Sequence, residues 1–384
     1  MRLTKLFKEF FNSEKASGIV LIFSTILSLL IANSKYGADY HHFFQMKLAS
    51  HSLEHWVNDG LMSIFFLLIG LELEREIYIG ELSKLKDALL PIFGAIGGML
   101  IPAIVYIFIN WGTVSQSGAG IPMATDIAFA LGILSLLGNK VPLALKVFLT
   151  ALAVMDDLGA IIIIAIFYTK TILWLNLCIA LAIFGLLLVF NRMKIRNLIP
   201  YLIGGVAMWY FMLHSGVHAT ITGVLLAFAI PFGNGDEKST SYILQHFLHN
   251  PVSYIILPIF AMVNTAITIN GEISNIVTEQ YSLGILLGLV VGKPIGILLF
   301  TYIAVAFKLC KLPEGINWRV IVSTGFLAGI GFTMSIFITL LAFEDQVIIN
   351  NSKLIILIAS LLAGILGFVA LKFNLDKKYI ELDE

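Results

Sequence analysis

A series of long apolar segments is the feature that most constrains how this chain can fold. A helix that crosses a bilayer needs about 20 mostly apolar residues, because its backbone must form every hydrogen bond within the segment. About twelve segments of this kind recur along the 384 residues. We expect membrane spans near residues 16–33, 58–79, 88–109, 119–137, 144–168, 172–190, 198–213, 217–231, 251–269, 282–306, 320–343 and 351–372.

Composition excludes the soluble classes of protein. The chain is 59% hydrophobic and 12% charged, whereas soluble domains are about 45–50% apolar and about 25% charged. The strands of a transmembrane barrel would alternate between lipid-facing and lumen-facing residues. Here the apolar runs are continuous, as in GAIIIIAIF at residues 159–167. The predicted fold class is therefore an all-α membrane protein with about twelve transmembrane helices.

The polar links between these segments leave no room for a soluble domain. The longest cover residues 34–57 and 232–250, so we expect a single polytopic membrane domain over residues 1–384, with the lipid bilayer around it. The formal net charge is zero, which does not favour nucleic acid as a partner. Cys178 and Cys310 lie far apart and show neither metal-site nor disulfide spacing, and no cofactor is expected.

The distribution of Lys and Arg predicts the orientation. Nineteen of these residues fall on the side of the two termini, and Lys293 lies inside a span. The other side carries four, namely Lys35, Lys47, Lys170 and Lys353. Cytoplasmic loops are enriched in positive residues, so both termini are predicted to be cytoplasmic. The first apolar run begins like a signal peptide but continues to Ala32 without a clear cleavage site, which favours a retained helix.

Five ionisable residues lie within the predicted spans: Asp59, Asp126, Asp156, Asp157 and Lys293. A charged Asp at the centre of a membrane helix costs about 2.5–3.5 kcal/mol on insertion scales. Such groups usually face the bundle interior or a wet cavity and pair with one another. The adjacent Asp156 and Asp157 point about 100° apart on a helix, yet both can line one cavity. Two close carboxylates at low polarity resist carrying two negative charges, so protons and a small cation would compete there.

A simpler interpretation of the same residues is structural. Asp156 would then form an ion pair with Lys293 that only stabilises helix packing, and Asp157 would stay protonated and inert. One lone Asp would leave the two interpretations about equal. The two adjacent Asp residues, together with Asp126 and a lysine inside a span, favour an exchange site instead.

Two apolar segments contain residues that interrupt a helix. The segment near 119–137 reads GIPMATDIAFALG, and Thr125 and Asp126 follow Pro122. The segment near 320–343 reads FLAGIGFTMSIFI, with two glycines around Ile330. Paired interrupted helices are typical of inverted repeats with a site at mid-membrane, where Asp126 and Lys293 would offset the partial charges of the helix ends. Taken alone, the glycines are equally typical of a helix-packing interface.

Seven stretches together resemble the NhaA family of sodium/proton antiporters. They lie in order between residues 56 and 338: WVNDGLMSIFFLLIGLELEREI, IPMATDIAFALGILSLLG, VPLALKVFLTALAVMDDLGAIIIIAIFY, HSGVHATITGV, VVGKPIGI, LPEGINW and GIGFTMSIFI. The resemblance implies twelve helices in inverted repeats, with two interrupted helices that cross. It also implies a secondary Na+(Li+)/H+ antiporter of the bacterial inner membrane, electrogenic and regulated by pH, that serves sodium and pH homeostasis.

The resemblance further implies roles for individual residues. Asp156 and Asp157, with Thr125, would bind the transported cation, while Asp126 would sit at the first interrupted helix. Lys293 would pair with Asp156 when the sodium site is empty. Family members are dimers, which places a homodimer contact in the loop at about residues 36–57.

A pH response is also implied. The family is switched by pH at its cytoplasmic mouth, which here corresponds to Glu72, Arg75 and Glu76, and His218 matches a further residue tied to that response. At the same mouth, Glu74 stands where a lysine is usual, and Gln245 where an acidic residue is expected, so the active pH range stays open. The competing interpretation is a solvated helix end at residues 72–76 and a structural histidine. Asp59 is treated as an accessory residue.

Two other functions remain as alternatives at this point. An intramembrane aspartyl protease needs two membrane aspartates that share a proton, but the sequence lacks a Gly-x-Gly-Asp signature and Lys293 would disturb the pair. A cation channel needs no proton coupling, but channels usually build their filters from symmetric rings. Proton-driven export of sodium or lithium is the predicted function.

Overall fold

The structure is a computed structural model that describes residues 2–48, 50–169, 171–269, 273–313 and 315–383. Side chains are described within these ranges except at 2–15, 81, 85–87, 139 and 376–383. Several charges used above to predict the orientation lie outside this description: residue Lys170, and the side chains of Arg2, Lys5, Lys8, Lys15, Lys86, Lys377 and Lys378. In the described part, β structure is limited to one antiparallel hairpin, which pairs Lys47–Leu48 with His51–Ser52.

The chain divides into two compact units. The first comprises residues 1–35, 84–160 and 264–384, and the second comprises residues 36–83 and 161–263. The predicted single membrane domain stays a prediction.

The first unit contains the N-terminal helix and both broken helix pairs described below. Its main helices are Arg2–Ala32, Leu85–Ile109, Val114–Met123, Ile127–Ser135, the start of Leu143–Phe167, Ile273–Thr278, Gln280–Ala306, Trp318–Ala328, Phe332–Ala342 and Gln346–Asp383. A short 3-10 turn, Gly138–Lys140, precedes Leu143–Phe167.

The second unit holds the hairpin and a further set of helices. These are Gly37–Gln45, Leu53–Tyr78, the 3-10 turn Glu81–Ser83, the end of Leu143–Phe167, Trp174–Arg192, Ile199–Leu213, Ile221–Ala229 and Thr240–Asn264. Three of the long helices contain π-helical stretches: Trp56–Leu61, Val252–Ile256 and, in the first unit, Gly288–Gly292.

The helices confirm the predicted fold class of an all-α membrane protein. Seven described helices are long and apolar enough to cross a membrane, and the number rises to ten if each of three bent helix pairs forms one span. The two remaining predicted spans correspond to shorter helices, Ile199–Leu213 and Ile221–Ala229. The count of twelve and the inverted repeats therefore stay predictions.

Both predicted interruptions are present in the first unit. The first broken pair consists of Val114–Met123, a 3-10 helix, and Ile127–Ser135, with a bend of 41° between them. The second broken pair consists of Trp318–Ala328 and Phe332–Ala342, with a bend of 51°. Pro122 lies just before the first break, and Gly329 and Gly331 flank the second, as the sequence indicated.

Close backbone packing fixes the helix that carries Lys293. This helix, Gln280–Ala306, lies against Leu85–Ile109 at a pair of glycines. A Cβ added at Gly97 would lie 2.1 Å from the carbonyl oxygen of Gly296, and a Cβ at Gly296 would lie equally close to that of Gly97. Small residues let membrane helices approach in this way, so the glycine pair sets the depth and rotation of the lysine.

We predict that Gly97→Ala lowers the thermal stability of the purified protein. The added methyl has no space, and overpacking of this kind costs about 1–3 kcal/mol. The matched control is Gly185→Ala, because a Cβ at Gly185 would meet nothing within 4 Å. Thermal unfolding in detergent should show a lower midpoint for Gly97→Ala and an unchanged or higher one for the control. Equal midpoints for Gly97→Ala and the unmodified protein would contradict the packing described here.

Candidate functional site

The two breaks lie against each other, and Asp126 joins them. The Asp126 amide donates to the Ile330 carbonyl at 2.7 Å. Oxygen Oδ1 of Asp126 accepts from the Phe129 amide at 3.0 Å, and Oδ2 accepts from the amide and the hydroxyl of Thr333 at 3.1 and 2.5 Å. The buried carboxylate thus caps the first turns of both Ile127–Ser135 and Phe332–Ala342. Because those helix ends carry partial positive charge, a negative group between them is stabilised.

Asp156 lies at the centre of a second set of contacts. Lys293 Nζ is 2.9 Å from Asp156 Oδ2, and both side chains are fully buried. Thr125 Oγ1 is 2.7 Å from the same oxygen. Lys293 also donates to the Met123 carbonyl. The structure therefore brings together three of the residues expected from the sequence. Asp156 comes from the helix Leu143–Phe167, Lys293 from Gln280–Ala306, and Thr125 from the first break.

The two carboxylate oxygens of Asp156 differ in their surroundings. Oδ2 contacts both Lys293 and Thr125, whereas the buried Oδ1 has no hydrogen-bond partner among the described residues. A buried charged group with an unmet acceptor costs more than the roughly 1–3 kcal/mol typical of neutral groups. Oδ1 is therefore a position where a proton or a cation would be stabilised.

The hydroxyl of Thr125 links this carboxylate to the second break. Its Oγ1 lies 2.7 Å from Asp156 Oδ2 and 2.8 Å from the Ala328 carbonyl oxygen. A hydroxyl has one hydrogen and can donate to one of these acceptors at a time. When Asp156 is protonated, its own proton can be donated to Thr125, which then donates to Ala328. Thr125 can therefore form a hydrogen bond with Asp156 in both the ionised and the protonated state of the carboxyl group.

Asp157 follows on the same helix and is 1% exposed. Its side chain leaves the helix about 100° away from that of Asp156, so the two carboxylates point in different directions from the helix axis. Among the described residues, no group of three His, Cys, Asp or Glu side chains is placed to hold a metal ion. A cation bound here would therefore draw on hydroxyl and carbonyl oxygens as well, which suit hard cations.

The residues predicted to respond to pH belong to the second unit. His249 Nδ1 lies 3.9 Å from Glu72 Oε1, and the guanidinium of Arg75 lies 5.5 Å from the ring centroid of Tyr242. Both partners come from the helix Thr240–Pro251. The sequence analysis did not identify His249, although a histidine at the end of the long polar link 232–250 was an available signal.

Glu74 differs from its neighbours in this region. Glu72, Arg75 and Glu76 are half-buried, but Glu74 is 4% exposed, and its Oε2 has no hydrogen-bond partner in the described part of the chain. The alternative of a solvated helix end is therefore wrong for Glu74. Gln245 is half-buried on Thr240–Pro251.

Asp59 and His218 lie elsewhere in the second unit. Asp59 is within the π-helical stretch Trp56–Leu61, and its Oδ2 is 3.1 Å from Nδ1 of His55. His218 Nε2 is 2.8 Å from the Tyr168 carbonyl oxygen, a contact that also fits a structural role for this histidine.

Lys353 was assigned to the extracytoplasmic side, close to the start of the predicted span 351–372. The structure places it within the helix Gln346–Asp383, which begins five residues before that span, and its side chain is 4% exposed. Its Nζ is 3.3 Å from Asn264 Oδ1. The side of the membrane on which it lies stays a prediction.

We predict that Lys293→Ala destabilises the protein, because it leaves the buried Asp156 without its partner. Removal of one member of a buried pair costs about 3–5 kcal/mol. The double variant Asp156→Asn with Lys293→Gln should recover part of that loss, since neither charge remains. Thermal unfolding of the two single variants and the double variant forms a double-mutant cycle. Purely additive losses in that cycle would show that the two residues are not coupled.

Comparison with known proteins places the chain among ion exchangers. A family model described as Na+/H+ antiporter 1 matches residues 8–371. The Na(+)/H(+) antiporter NhaA of Flavobacterium psychrophilum is 69% identical over 381 residues, which is 99% of each chain. Similar proteins include the Na(+)/H(+) antiporter NhaA 1 of Flavobacterium johnsoniae, 64% identical over 98% of each chain, and the Na(+)/H(+) antiporter NhaA of Dechloromonas aromatica, 60% identical over 97% of each chain. The chain described here belongs to the Na+/H+ antiporter 1 family.

Proposed function

We propose that this protein is a secondary transporter, not an enzyme, and that it exchanges Na+ or Li+ for protons across a membrane. The observation that carries the proposal is the buried Asp156, whose Oδ2 is shared by Lys293 and Thr125 while Oδ1 has no partner among the described residues. Its relatives are named Na+/H+ antiporters, which supports sodium and protons as the exchanged ions.

In this proposal, protons and the cation compete for one pair of carboxylates. With the cation absent, Asp156 pairs with Lys293 and Asp157 holds a proton. A dehydrated Na+ binds when Asp157 is ionised, with Asp156 and the Thr125 oxygen as further ligands. Protonation then releases the cation, and the site opens to one side of the membrane at a time. The inward proton gradient drives sodium outward.

The lysine gives a reason for electrogenic exchange. When a cation displaces Lys293 from Asp156, the buried ammonium loses its partner, and it can give up a proton in addition to the proton from Asp157. More than one proton would then move for each sodium ion, and turnover would transfer net charge. No cofactor takes part in this scheme.

The contacts argue against the two other functions. A protease dyad would need Asp126 and Asp157 to share a proton. Both oxygens of Asp126 instead accept from Phe129 and Thr333. Lys293, which would disturb such a pair, contacts Asp156, the residue directly before Asp157. A channel would not require the buried ion pair.

Localisation and assembly follow from the same proposal. The protein would lie in the bacterial inner membrane as a multi-pass protein with both termini in the cytoplasm. It would form a homodimer through the loop at residues 36–57. In that loop, the hairpin Lys47–Leu48 and His51–Ser52 pairs with no third strand from the described residues, and Met46 and Leu48 are 51% and 60% exposed. Open strand edges can pair with a second chain.

The experiment that tests the function uses purified protein in sealed proteoliposomes with an internal pH indicator. External Na+ or Li+ should drive proton movement, K+ should not, and a membrane potential should change the rate. Sodium flux without proton movement would favour a channel. Proton movement without sodium dependence would overturn the proposal.

We predict that Asp157→Asn abolishes sodium-dependent proton movement, because the substitution keeps the size of the side chain but removes its charge and its titratable proton. The protein should remain folded in the membrane. The control is Glu279→Gln, which neutralises an exposed carboxylate and should retain exchange. Near-normal exchange in Asp157→Asn would remove this residue from the mechanism.

We predict that Glu72→Gln shifts the active pH range without lowering the maximal rate at saturating sodium. The substitution removes the carboxylate that faces His249. This contact lies in the second unit and does not include Asp156 or Asp157. Competition at the aspartates alone already makes sodium affinity depend on pH, so profiles must be compared at both low and saturating sodium. Superimposable profiles for Glu72→Gln and the unmodified protein would mean that this contact does not sense pH.

A further inference from the structure

A threonine two helical turns before Asp157 has a buried hydroxyl without a partner in the described part of the chain. Thr222, in the first turn of Ile221–Ala229, is a second threonine of this kind. Four other threonines in the apolar helices donate their hydroxyl to the carbonyl four residues earlier, at 2.6–2.8 Å: Thr25, Thr301, Thr324 and Thr339. This bond is the usual way for a threonine to satisfy its hydroxyl within an apolar helix. Thr150 has a carbonyl available at Lys146 in the same helix. Nevertheless its buried Oγ1 has no hydrogen-bond partner among the described residues.

The position of Thr150 places this hydroxyl on the same helix face as Asp157. Both residues lie in the uninterrupted helix Leu143–Phe167. Seven residues bring the side chain to within about 20° of the same direction and displace it by about 10.5 Å along the axis. The residues between them on that face are Ala153 and Val154, and both are buried.

The other faces of this helix are occupied. Phe148 and Leu152 pack toward Gly94, where a Cβ would meet them at 3.6 and 3.1 Å. Asp156 points to Lys293 and Thr125. Thr150 and Asp157 therefore share a face that neither of these contacts uses.

The direction of approach follows from the proposed topology. The helix begins next to Lys140 and Lys146, which were assigned to the cytoplasmic side. A cation that travels from the cytoplasm along this face reaches Thr150 before Asp157. Hard cations prefer oxygen ligands, and a hydroxyl oxygen that the helix leaves unbonded is available to replace part of the hydration shell.

We propose that the Thr150 hydroxyl is an oxygen ligand for the partly dehydrated cation on its cytoplasmic approach to Asp157, and that it sets the apparent affinity for sodium. The proposal rests on the proposed exchange of sodium for protons. It adds a second contact point, outside the pair of aspartates, that determines how strongly the cytoplasmic ion is captured.

The test compares Thr150→Val with Thr150→Ser in proteoliposomes that expose the cytoplasmic face to sodium. Valine has nearly the shape of threonine but no oxygen, whereas serine keeps the hydroxyl. The apparent KM for sodium should rise about three- to tenfold in Thr150→Val, the factor expected for one lost oxygen contact. The maximal rate should change less than the KM, and Thr150→Ser should restore the KM to within about twofold.

The matched control is Thr25→Val, which removes a hydroxyl that is already bonded to Leu21 and should leave the KM unchanged. If Thr150→Val does not fold, sodium-dependent thermal stabilisation of Thr150→Ala in detergent provides a second readout, since a weaker ligand gives less stabilisation at the same concentration. An unchanged KM or unchanged sodium stabilisation, in a preparation whose unmodified protein exchanges sodium for protons, would overturn the role of Thr150 alone. If the unmodified protein itself shows no exchange of sodium for protons, the proposed function would be overturned instead.

Discussion

The backbone polar groups that two helix breaks release inside the first unit are the constraint on which the rest of this structure depends. At membrane depth each such group must find a partner, because no lipid atom can supply one. The partners here come from the opposite break: the Asp126 amide bonds to Ile330, and Thr333 bonds to Asp126. Each break therefore supplies hydrogen-bond partners to the other. Their mutual contact explains why a buried aspartate stands between two helix N-termini.

The same breaks create the setting for exchange. Thr125 and the Met123 carbonyl lie at the first break, and each contacts a member of the Asp156–Lys293 pair. The Ala328 carbonyl, which accepts from Thr125, comes from the end of a half-helix at the second break. Asp156 is therefore connected to the second break through the Thr125 hydroxyl and to the first break through Lys293. In the proposed cycle, these contacts are the route by which proton binding at Asp156 would affect both breaks.

The sequence allowed some of these features to be predicted, and the reasons for the failures are physical. Pro122 and the glycines around Ile330 mark the breaks, since they disrupt helix geometry locally. The pairing of Lys293 was expected, because a charge at mid-span needs a partner. The accepting carbonyls of Met123 and Ala328 could not be foreseen, because side-chain periodicity does not fix where a freed carbonyl points. The burial of Glu74 could not be foreseen either, because a run of charges at a helix end usually indicates solvent. Only tertiary packing makes one of them buried.

In the proposed mechanism, sodium and protons compete for the carboxylates at residues 156 and 157. This competition can be measured by isothermal titration of the detergent-purified protein with Na+, in buffers of different ionisation enthalpy and at several pH values. The proposed mechanism predicts that each bound sodium releases at least one proton, and that sodium affinity falls about tenfold per pH unit for each proton displaced as the pH decreases through the titration range. Sodium binding with no proton release and no dependence on pH would contradict it.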